Sequence, residues 1–425
     1  MTDQDHRNDQ NGKNDPNRRA DWTRREMLAA LAGTASAALA VPAHSAESSS
    51  TSKQEPPIDP TRIPGTGPSA RGERSPFETT ERIAAFGVIS GTPLHQLHGT
   101  LTPSDLHFER HHAGIPKIDP SKHELMIHGL VERPIKLSMS DLLRFPAVSR
   151  IAFLECSGNL RIDAGEETSP QFLCGLTSQS EWTGVALSTL LREVGLRPNA
   201  KWLLAEGSDA AVLSRSIPIE KAMDDAIIAY AQNGEALRPG QGYPLRLFLP
   251  GWEGNANVKW LRRIEISDRP FMTREETSKY SEPIKGGHIR SFSFTMDARS
   301  VITTPTYPEH LERGWHDVRG IAWSGRGRIA KVEVSVDGGR RWENARLLGP
   351  VLPKAHTRFS LPWRWTGGPA ELSSRATDET GYVQPTRRAL IDARGAGSIP
   401  YHLNPIVSWL VESDGRMLYK AEPWG

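Results

Sequence analysis

The chain has 425 residues, which is room for two or three domains, and a formal net charge of +2. This near-neutral charge, without blocks of Lys or Arg, argues against nucleic acid as a partner, and no apolar run reaches the roughly 18 residues of a membrane span. The 37 Gly and 32 Pro residues argue against a helical bundle and favour β structure with many turns. Two cysteines cannot form a disulfide scaffold, and the zinc signatures CxxC and HExxH do not occur.

The first 46 residues predict a twin-arginine signal peptide. Arg24 and Arg25 precede an apolar run at residues 27–41, which is too short to span a bilayer but typical of a signal peptide. The alternative is an ordinary first helix with a basic start, although runs rich in Ala and Gly make poor cores. We therefore expect export to the periplasm, with cleavage after Ala43 or Ala46. Because this pathway carries folded proteins, its cargo often holds a cofactor that was loaded in the cytoplasm.

An α+β domain is predicted over residues 86–285, after a linker or strap at residues 47–85 that is rich in Ser, Pro and Gly. An apolar segment at residues 226–231 leads into Asn233-Gly234, which is a hairpin turn signal. Ser140 is a plausible N-cap of a helix that ends before Pro146. The expected strands cover residues 124–128, 150–155, 201–206, 245–249 and 263–266, and the expected helices cover residues 140–144 and 187–194.

The second folded region, residues 286–415, predicts an immunoglobulin-like β-sandwich, followed by a C-terminal tail at residues 416–425. Residues 331–336 alternate strictly between polar and apolar, and a turn at Asp337-Gly338-Gly339 follows. The cysteine pair of antibody domains is missing, so the sandwich must rely on packing. Six tryptophans could supply that packing or face a partner: Trp315, Trp323, Trp342, Trp363, Trp365 and Trp409.

Cys156 is the most informative residue of the chain, because an apolar strand delivers it into a polar turn with Arg161 five residues later. A nearby guanidinium lowers the pKa of a thiol and favours the thiolate, which is a soft ligand for a transition metal. Two other interpretations stay open from the residues alone. Cys156 can be a buried structural cysteine, or it can form a disulfide with Cys174 in an oxidising compartment.

The segment around Cys156, LECSGNLR at residues 154–161, resembles the molybdenum-ligand motif of the sulfite oxidase family. Further segments match that family in order and spacing: FERHH at residues 108–112, residues 226–237, residues 242–251 and NVKWL at residues 257–261. The resemblance covers residues 86–415, including the family's C-terminal dimerisation sandwich. Within the family, the Trp-rich second region resembles the molybdenum subunits of the Sox sulfur-oxidising systems.

The resemblance implies that Cys156 is the single protein ligand to molybdenum. Molybdopterin and oxo groups would complete the coordination of the metal. Arg110 and Arg161 would face the substrate oxyanion, since two fixed guanidiniums suit an oxoanion. Tyr280, 21 residues after Lys259, lies at the spacing of the family's active-site tyrosine. Trp182 matches a pocket tryptophan only if the loop after Arg161 is an insertion.

The same resemblance implies a set of residues that bind the cofactor. His112, Arg246 and Lys259 match positions that hold the pterin and its phosphate, and Asp209 matches an acidic residue that accepts from pterin N–H groups. Gln241 stands where many relatives have histidine, and Leu160 stands where many have arginine, so the pocket carries less positive charge. The full expected set is Phe108, Glu109, Arg110, His111, His112, Cys156, Asp209, Gln241, Arg246, Asn257, Val258 and Lys259.

The implied activity is a periplasmic, molybdenum-dependent oxidation of sulfur that passes electrons to a c-type cytochrome subunit. The cofactor would be molybdopterin without a nucleotide, and no heme, flavin or NAD is expected in this chain. The substrate would be sulfane sulfur on a carrier protein or, alternatively, free sulfite, and the assembly a homodimer or heterotetramer. Two further alternatives are a catalytic subunit of a methionine sulfoxide reductase and an exported, non-enzymatic protein that binds through its immunoglobulin-like domain.

Overall fold

The computed structural model of the protein describes residues 62–85, 87–395 and 401–422. The chain divides into two units at Glu73 and Arg74, and the described residues of the first unit, 62–73, are exposed. The predicted signal peptide lies outside the described residues and stays a prediction. Within the described ranges, every helix is too short or too polar to cross a bilayer.

The elements of the second unit are mainly strands. In chain order they are β1 (Ile83–Ala85), β2 (Ile89–Gly91), β3 (Glu109–Arg110), β4 (Glu124–Gly129), β5 (Ile135–Ser138), α1 (Met139–Leu142), β6 (Ala147–Glu155), α2 (Pro170–Cys174), β7 (Thr177–Ala186), α3 (Leu187–Val194), β8 (Trp202–Gly207), β9 (Ser214–Pro218), α4 (Ile219–Asp224), β10 (Ile227–Gln232), β11 (Glu235–Ala236), β12 (Arg246–Phe248), β13 (Leu261–Ser267), β14 (Glu282–Ile284), β15 (His288–Arg290), β16 (Arg299–Thr304), β17 (Gly314–Trp323), β18 (Ile329–Ser335), β19 (Glu343–Asn344), β20 (Arg346–Leu348), β21 (Thr357–Trp365), β22 (Ala370–Asp378), α5 (Arg387–Arg394), β23 (Ser408–Val411) and β24 (Met417–Tyr419). Short 3₁₀ turns cover Ser104–Leu106, Pro239–Gln241 and Gly254–Ala256, and a π-helical turn covers Glu275–Lys279.

Two five-stranded sheets form most of the first folded region. One has the order β11-β10-β7-β6 with β12 beside β10, and the other has the order β5-β4-β13-β8-β9. The strands alternate, so that Leu125 and Ile127 of β4 are fully buried, and α3 adds its apolar face to the same core. β10 turns into β11 through Asn233 and Gly234, both at positive φ, which confirms the predicted hairpin.

The second region is a sandwich of two sheets, ordered β16-β17-β21-β20 and β19-β18-β22-β23-β24. Its core contains Trp323, Trp365 and Trp409, whereas Trp342 and Trp363 are half-buried. Trp315 is 71% exposed on β17, so it does not take part in the core. The predicted fold class, an α+β molybdopterin-binding domain followed by an immunoglobulin-like sandwich, is confirmed.

Three boundaries differ from the sequence-based expectation. Residues 83–85 are not linker, because they form β1 of a three-stranded sheet with β2 and β3. The expected tail is wrong at residues 417–419, since β24 pairs with β23 and buries Met417 and Tyr419 in the sandwich core. The N-cap of α1 is Ser138 and not Ser140: its hydroxyl accepts the amide of Asp141, whose carboxylate reaches back to the Ser138 amide.

The two regions pack against each other where β6 ends. Glu155, the last residue of β6, accepts from Arg299 of β16 at 3.2 Å and from the indole of Trp323 at 2.6 Å. Arg299 also donates to the carbonyl of Asn159. The end of β6 is therefore fixed by buried side chains of the sandwich.

Candidate cofactor site

Cys156 follows β6 directly and is presented by a tight turn. Its amide donates to the carbonyl of Leu176 at 2.9 Å, and its carbonyl accepts the amide of Asn159 at 3.0 Å. Gly254 backs this turn so closely that a Cβ there would lie 2.9 Å from the Glu155 carbonyl oxygen. The backbone is thus closely packed behind the cysteine while its side chain stays partly exposed.

The side chain of Cys156 lines an open cavity of ≈ 630 Å³, a volume that includes the solvent at its mouth. Loops from both sheets of the first region converge on it. The lining residues are Phe108, Arg110, His111, His112, Leu154, Cys156, Asp209, Leu213, Gln241, Arg246, Gly254, Asn255, Asn257, Lys259, Trp260 and Tyr280.

Two cations in this wall, the buried Arg246 and the partly buried Lys259, form no ion pair with the described residues. Arg246, 1% exposed, donates to the carbonyls of Gln241 (2.9 Å) and Asn257 (3.1 Å), while its Nε has no partner. Burial lowers the pKa of Arg246 to about 9. Burial, followed by the charge of Arg246, lowers the pKa of Lys259 to about 7. Burial disfavours the charged form of both groups, and a bound anionic ligand would stabilise that form.

Lys259 is oriented by a chain of polar groups. Its Nζ donates to the carbonyls of Arg110 and Gly240, each at 3.1 Å, and to Nδ1 of His111 at 2.8 Å. Nε2 of His111 lies 3.1 Å from Glu109, which also pairs with Arg82 at 2.6 Å. Burial opposes ionisation of Glu109, but the bonds from His111 and Arg82 hold its pKa at about 2. Glu109 therefore does not line the cavity itself but orients Lys259 through His111.

His112 and Tyr280 form a second pair at the cavity, with Nε2 and the phenol oxygen 2.8 Å apart. Burial, with the charge of Arg110, lowers the pKa of His112 to about 4, so the ring is neutral at pH 7. Burial also raises the pKa of Tyr280, which keeps the phenol protonated. The ring of Tyr280 lies between Arg215, 5.2 Å away, and the ring of Tyr401, 5.4 Å away.

The structure does not bring Arg161 to this cavity. Its guanidinium donates to both carboxylate oxygens of Asp163 at 2.9 Å, lies over the ring of Phe172, and lines a separate cavity. The expectation of a lowered pKa for the Cys156 thiol is wrong. Burial raises that pKa, against the opposing effects of the Gly158 amide and Arg110.

The remaining expected residues lie at or behind the wall. Gln241 donates to the carbonyl of Phe108 at 2.9 Å, and Asp209 accepts the amide of Leu213 at 3.1 Å. Asn257 bonds the backbone on both sides of its loop, whereas Val258 is buried in the core of the first region and does not line the cavity.

Several residues at the site were not expected from the sequence. Asn255 lines the cavity with a buried Oδ1 that has no partner, and Trp260 lies against Lys259. Trp182 does not line the cavity; it is fully buried beneath the guanidinium of Arg246 at 4.8 Å. The one sequence signal for Asn255 and Trp260 is that they lie next to, or two positions from, the expected residues Asn257 and Lys259.

The residues present fit a molybdenum cofactor that brings most of its own ligands. Within the described ranges, no cluster of three His, Cys, Asp or Glu side chains could hold a metal ion, and both cysteines are free thiols. Cys174 is buried, bonds the carbonyl of Pro170, and has a pKa raised by burial to about 11, so only Cys156 is available as a ligand. The unpaired atoms of Arg246 and Asn255 offer a donor and an acceptor to an anionic, heteroaromatic ligand.

Comparisons with known proteins agree with this geometry. The oxidoreductase molybdopterin binding domain matches residues 112–275, and the Mo-co oxidoreductase dimerisation domain matches residues 290–408. Sulfite oxidase of Gallus gallus is 31% identical over 71% of this chain and 72% of its own length. The NADH nitrate reductase of Ulva prolifera is 31% identical over 68% of this chain but 38% of its own length. The chain thus spans about two-fifths of the nitrate reductases it matches.

A solved structure is also similar. The sulfane dehydrogenase SoxCD from Paracoccus pantotrophus superposes with a TM-score of 0.81 and 43% identity, covering 85% of this chain and 97% of that chain. The similarity extends through both folded regions, because the matched share of this chain exceeds either region alone.

Proposed function

Since the chain belongs to the sulfite oxidase family of molybdopterin-binding oxidoreductases, we propose that it oxidises sulfane sulfur held on a carrier protein. The observation that carries the proposal is a single accessible thiol facing a cavity whose wall holds a buried guanidinium, that of Arg246, without an ion-pair partner among the described residues. The identity of 43% to a sulfane dehydrogenase supports the choice of substrate.

The cofactor would be held by groups that the cavity already aims inward. Cys156 would bind the metal, Arg246, Lys259 and His112 would bind the anionic end of the pterin, and Asp209 would accept from its N–H groups. When bound, the molybdenum of the cofactor would supply a two-electron redox centre for transferring oxygen from water to the substrate. For each oxygen atom that the sulfur gains from water, two electrons and two protons leave the site.

The charge around Cys156 favours a carrier-bound substrate over free sulfite. The charge of Arg110 opposes the rise in the pKa of Cys156, whereas Arg161 is paired with Asp163 and Leu160 is a buried apolar residue. A free dianion would need more fixed positive charge than this face provides. A sulfur atom that is attached to a carrier brings less charge and gains affinity from the carrier's own contacts.

Tyr280 and His112 would manage the protons. The phenol stays protonated, and the neutral imidazole 2.8 Å away can accept its hydrogen bond. The phenol can therefore donate either to His112 or to the substrate, and the pair would offer a route for protons toward the cavity mouth.

We further propose export by the twin-arginine pathway to the periplasm. The electron acceptor would be a c-type cytochrome subunit, and the second domain would assemble the chain into a homodimer or heterotetramer. A nucleotide-free molybdopterin would be the sole redox group of this chain. The presence of the sandwich argues against the methionine sulfoxide reductase alternative, whose family usually lacks one.

The test compares substrates on the purified holoenzyme, with reduction of a c-type cytochrome as the readout. Carrier-bound sulfane sulfur should be oxidised at low concentration, while sulfite at the same concentration should be turned over poorly. Efficient oxidation of sulfite together with no reaction of the loaded carrier would replace the proposal by the sulfite dehydrogenase alternative. A Cys156→Ser variant, which should be inactive with both, controls for nonenzymatic transfer.

A further inference from the structure

A segment of the sandwich domain, Tyr401-His402, reaches the turn that carries Cys156. The His402 amide donates to the carbonyl of Ser157 at 2.8 Å. The preceding residue, Tyr401, places its ring 5.4 Å from that of Tyr280, and its phenol is close enough for Cys156 and Arg110 to influence its pKa. The second domain therefore contacts both the thiol turn and the active-site tyrosine.

The ring of His402 returns to the same turn by another route. Its Nε2 lies 3.1 Å from Oε2 of Glu253, and that oxygen accepts the side-chain amide of Asn255 at 2.6 Å. The Asn255 amide donates in turn to Oγ of Ser157 at 3.1 Å. His402 is thus connected to Ser157, the residue after Cys156, in two ways. Its amide binds the Ser157 carbonyl directly, and its ring reaches the Ser157 hydroxyl through Glu253 and Asn255.

The groups around His402 favour its protonated form and hold its ring in place. Burial alone would lower the pKa of His402, but the bond to Glu253 and the charges of Glu253 and Glu282 raise it, against the charge of Arg394. Glu253 is also held by Arg215 at 3.0 Å. Glu282, two residues after Tyr280, pairs with Arg290 and Arg394 and lies 3.9 Å from His402. Glu253 is thus held by Arg215, by Asn255 and by the ring of His402, which restricts where that ring can lie.

We propose that His402 is a positioning residue, through which the sandwich domain holds the Cys156 turn in the geometry needed to bind the metal. Groups that orient a metal ligand from behind commonly affect metal affinity or activity by about 10–100-fold. His402 does not line the cavity, so its effect passes through Ser157 and Cys156.

The test uses full-length holoenzyme carrying His402→Gln, with His316→Gln as the matched control. His316 is a half-buried histidine of the same domain, whose Nε2 lies 2.7 Å from the Glu312 carbonyl oxygen and whose ring lies 6.2 Å from that of Trp363. Amide hydrogen exchange at Cys156 and Asn159 should become about 10-fold faster in His402→Gln, whereas exchange in β18 should not change. The Mo(V) electron paramagnetic resonance signal should shift, and kcat should fall more than KM changes.

A second variant covers the case in which His402→Gln does not fold. Ser157→Ala removes the hydroxyl that connects Ser157 to the His402 ring through Asn255 and Glu253, and it leaves the buried charges in place. Exchange at the same two amides should become faster by a smaller factor. The proposal is overturned if the folded variant leaves both amides within twofold of the parent and the Mo(V) signal unchanged. Exchange needs neither substrate nor acceptor, so this outcome is independent of the test of the proposed function.

Discussion

The two sides of the Cys156 turn treat buried positive charge in opposite ways. Behind the turn, Arg215 is fully buried and is matched by Glu253 and Glu276 at 3.0 and 2.8 Å. In front of it, Arg246 is equally buried but bonds only carbonyl oxygens. This difference indicates where a ligand binds. The ion pairs of Arg215 stabilise the scaffold, whereas the unpaired charge of Arg246 marks a binding site for an anion.

The largest expected effect comes from the residue between the two sides. Cys156→Ser should reduce bound molybdenum and turnover by more than the roughly 10–100-fold that loss of a supporting group costs, because it removes the metal ligand itself. Metal analysis and cytochrome reduction check this. Full metal content with full activity in the variant would show that the cavity is not the redox site.

Arg215→Met tests the rear side. The variant leaves Glu253 and Glu276 buried without their cation, so the free energy of unfolding should fall by about 3–5 kcal/mol. Chemical denaturation of the cofactor-free protein measures it. A loss below about 1 kcal/mol would mean that the rear cluster does not stabilise the fold, and the contrast between the two sides would fail.

Arg246→Met is the corresponding change at the front. The free energy of unfolding of the cofactor-free protein should change by less than about 1 kcal/mol, since a buried charge and its imperfect bonds disappear together. Cofactor occupancy should nevertheless fall about 10-fold or more, measured as molybdenum per chain. Normal occupancy would contradict the assignment of Arg246 to the ligand.

The smallest expected effect is the uptake of a proton by Lys259 when an anion binds. Lys259, with a pKa of about 7 in the empty cavity, is largely neutral at pH 8, and an anion would restore its charge. Binding of inorganic phosphate to cofactor-free protein should therefore take up close to one proton at pH 8 and much less at pH 6. Calorimetry in buffers of different ionisation enthalpy measures this, with Lys259→Met as the control.

The lowered pKa also predicts a direction for stability. Between the folded pKa near 7 and the ordinary value of 10.5, the unfolded chain binds more protons at this position than the folded chain. The contribution of Lys259 to the free energy of unfolding of the cofactor-free protein should therefore rise with pH across that interval, and Lys259→Met should abolish the rise.

Local patterns were sufficient for part of this picture. The strand before Cys156, the hairpin at Asn233-Gly234 and the alternating strand Ile329–Ser335 depend on neighbours in sequence, and each was predictable. The resemblance to the sulfite oxidase family placed His112 and Lys259 at one cavity although they lie far apart in sequence.

Other features depend on contacts that a single sequence does not display. Arg161 is adjacent to the cysteine motif, but Asp163, two residues on, holds its guanidinium in the structure. The approach of Tyr401 and His402 to Cys156 depends on how the second domain packs against the first. No periodicity or motif near residue 402 indicates that its partner is Ser157.

The position of His402 in the chain has a consequence for the order of assembly. The bond between His402 and Ser157 closes one of the longest loops in the molecule, and such contacts form late, after the local hairpins and sheets. During synthesis the cavity walls emerge from the ribosome well before the histidine that fastens the cysteine turn. We expect the Cys156 turn of a nascent or freshly released chain to keep more than one arrangement until His402 arrives, so that the final geometry of the cofactor site is set only after nearly the whole chain has been made.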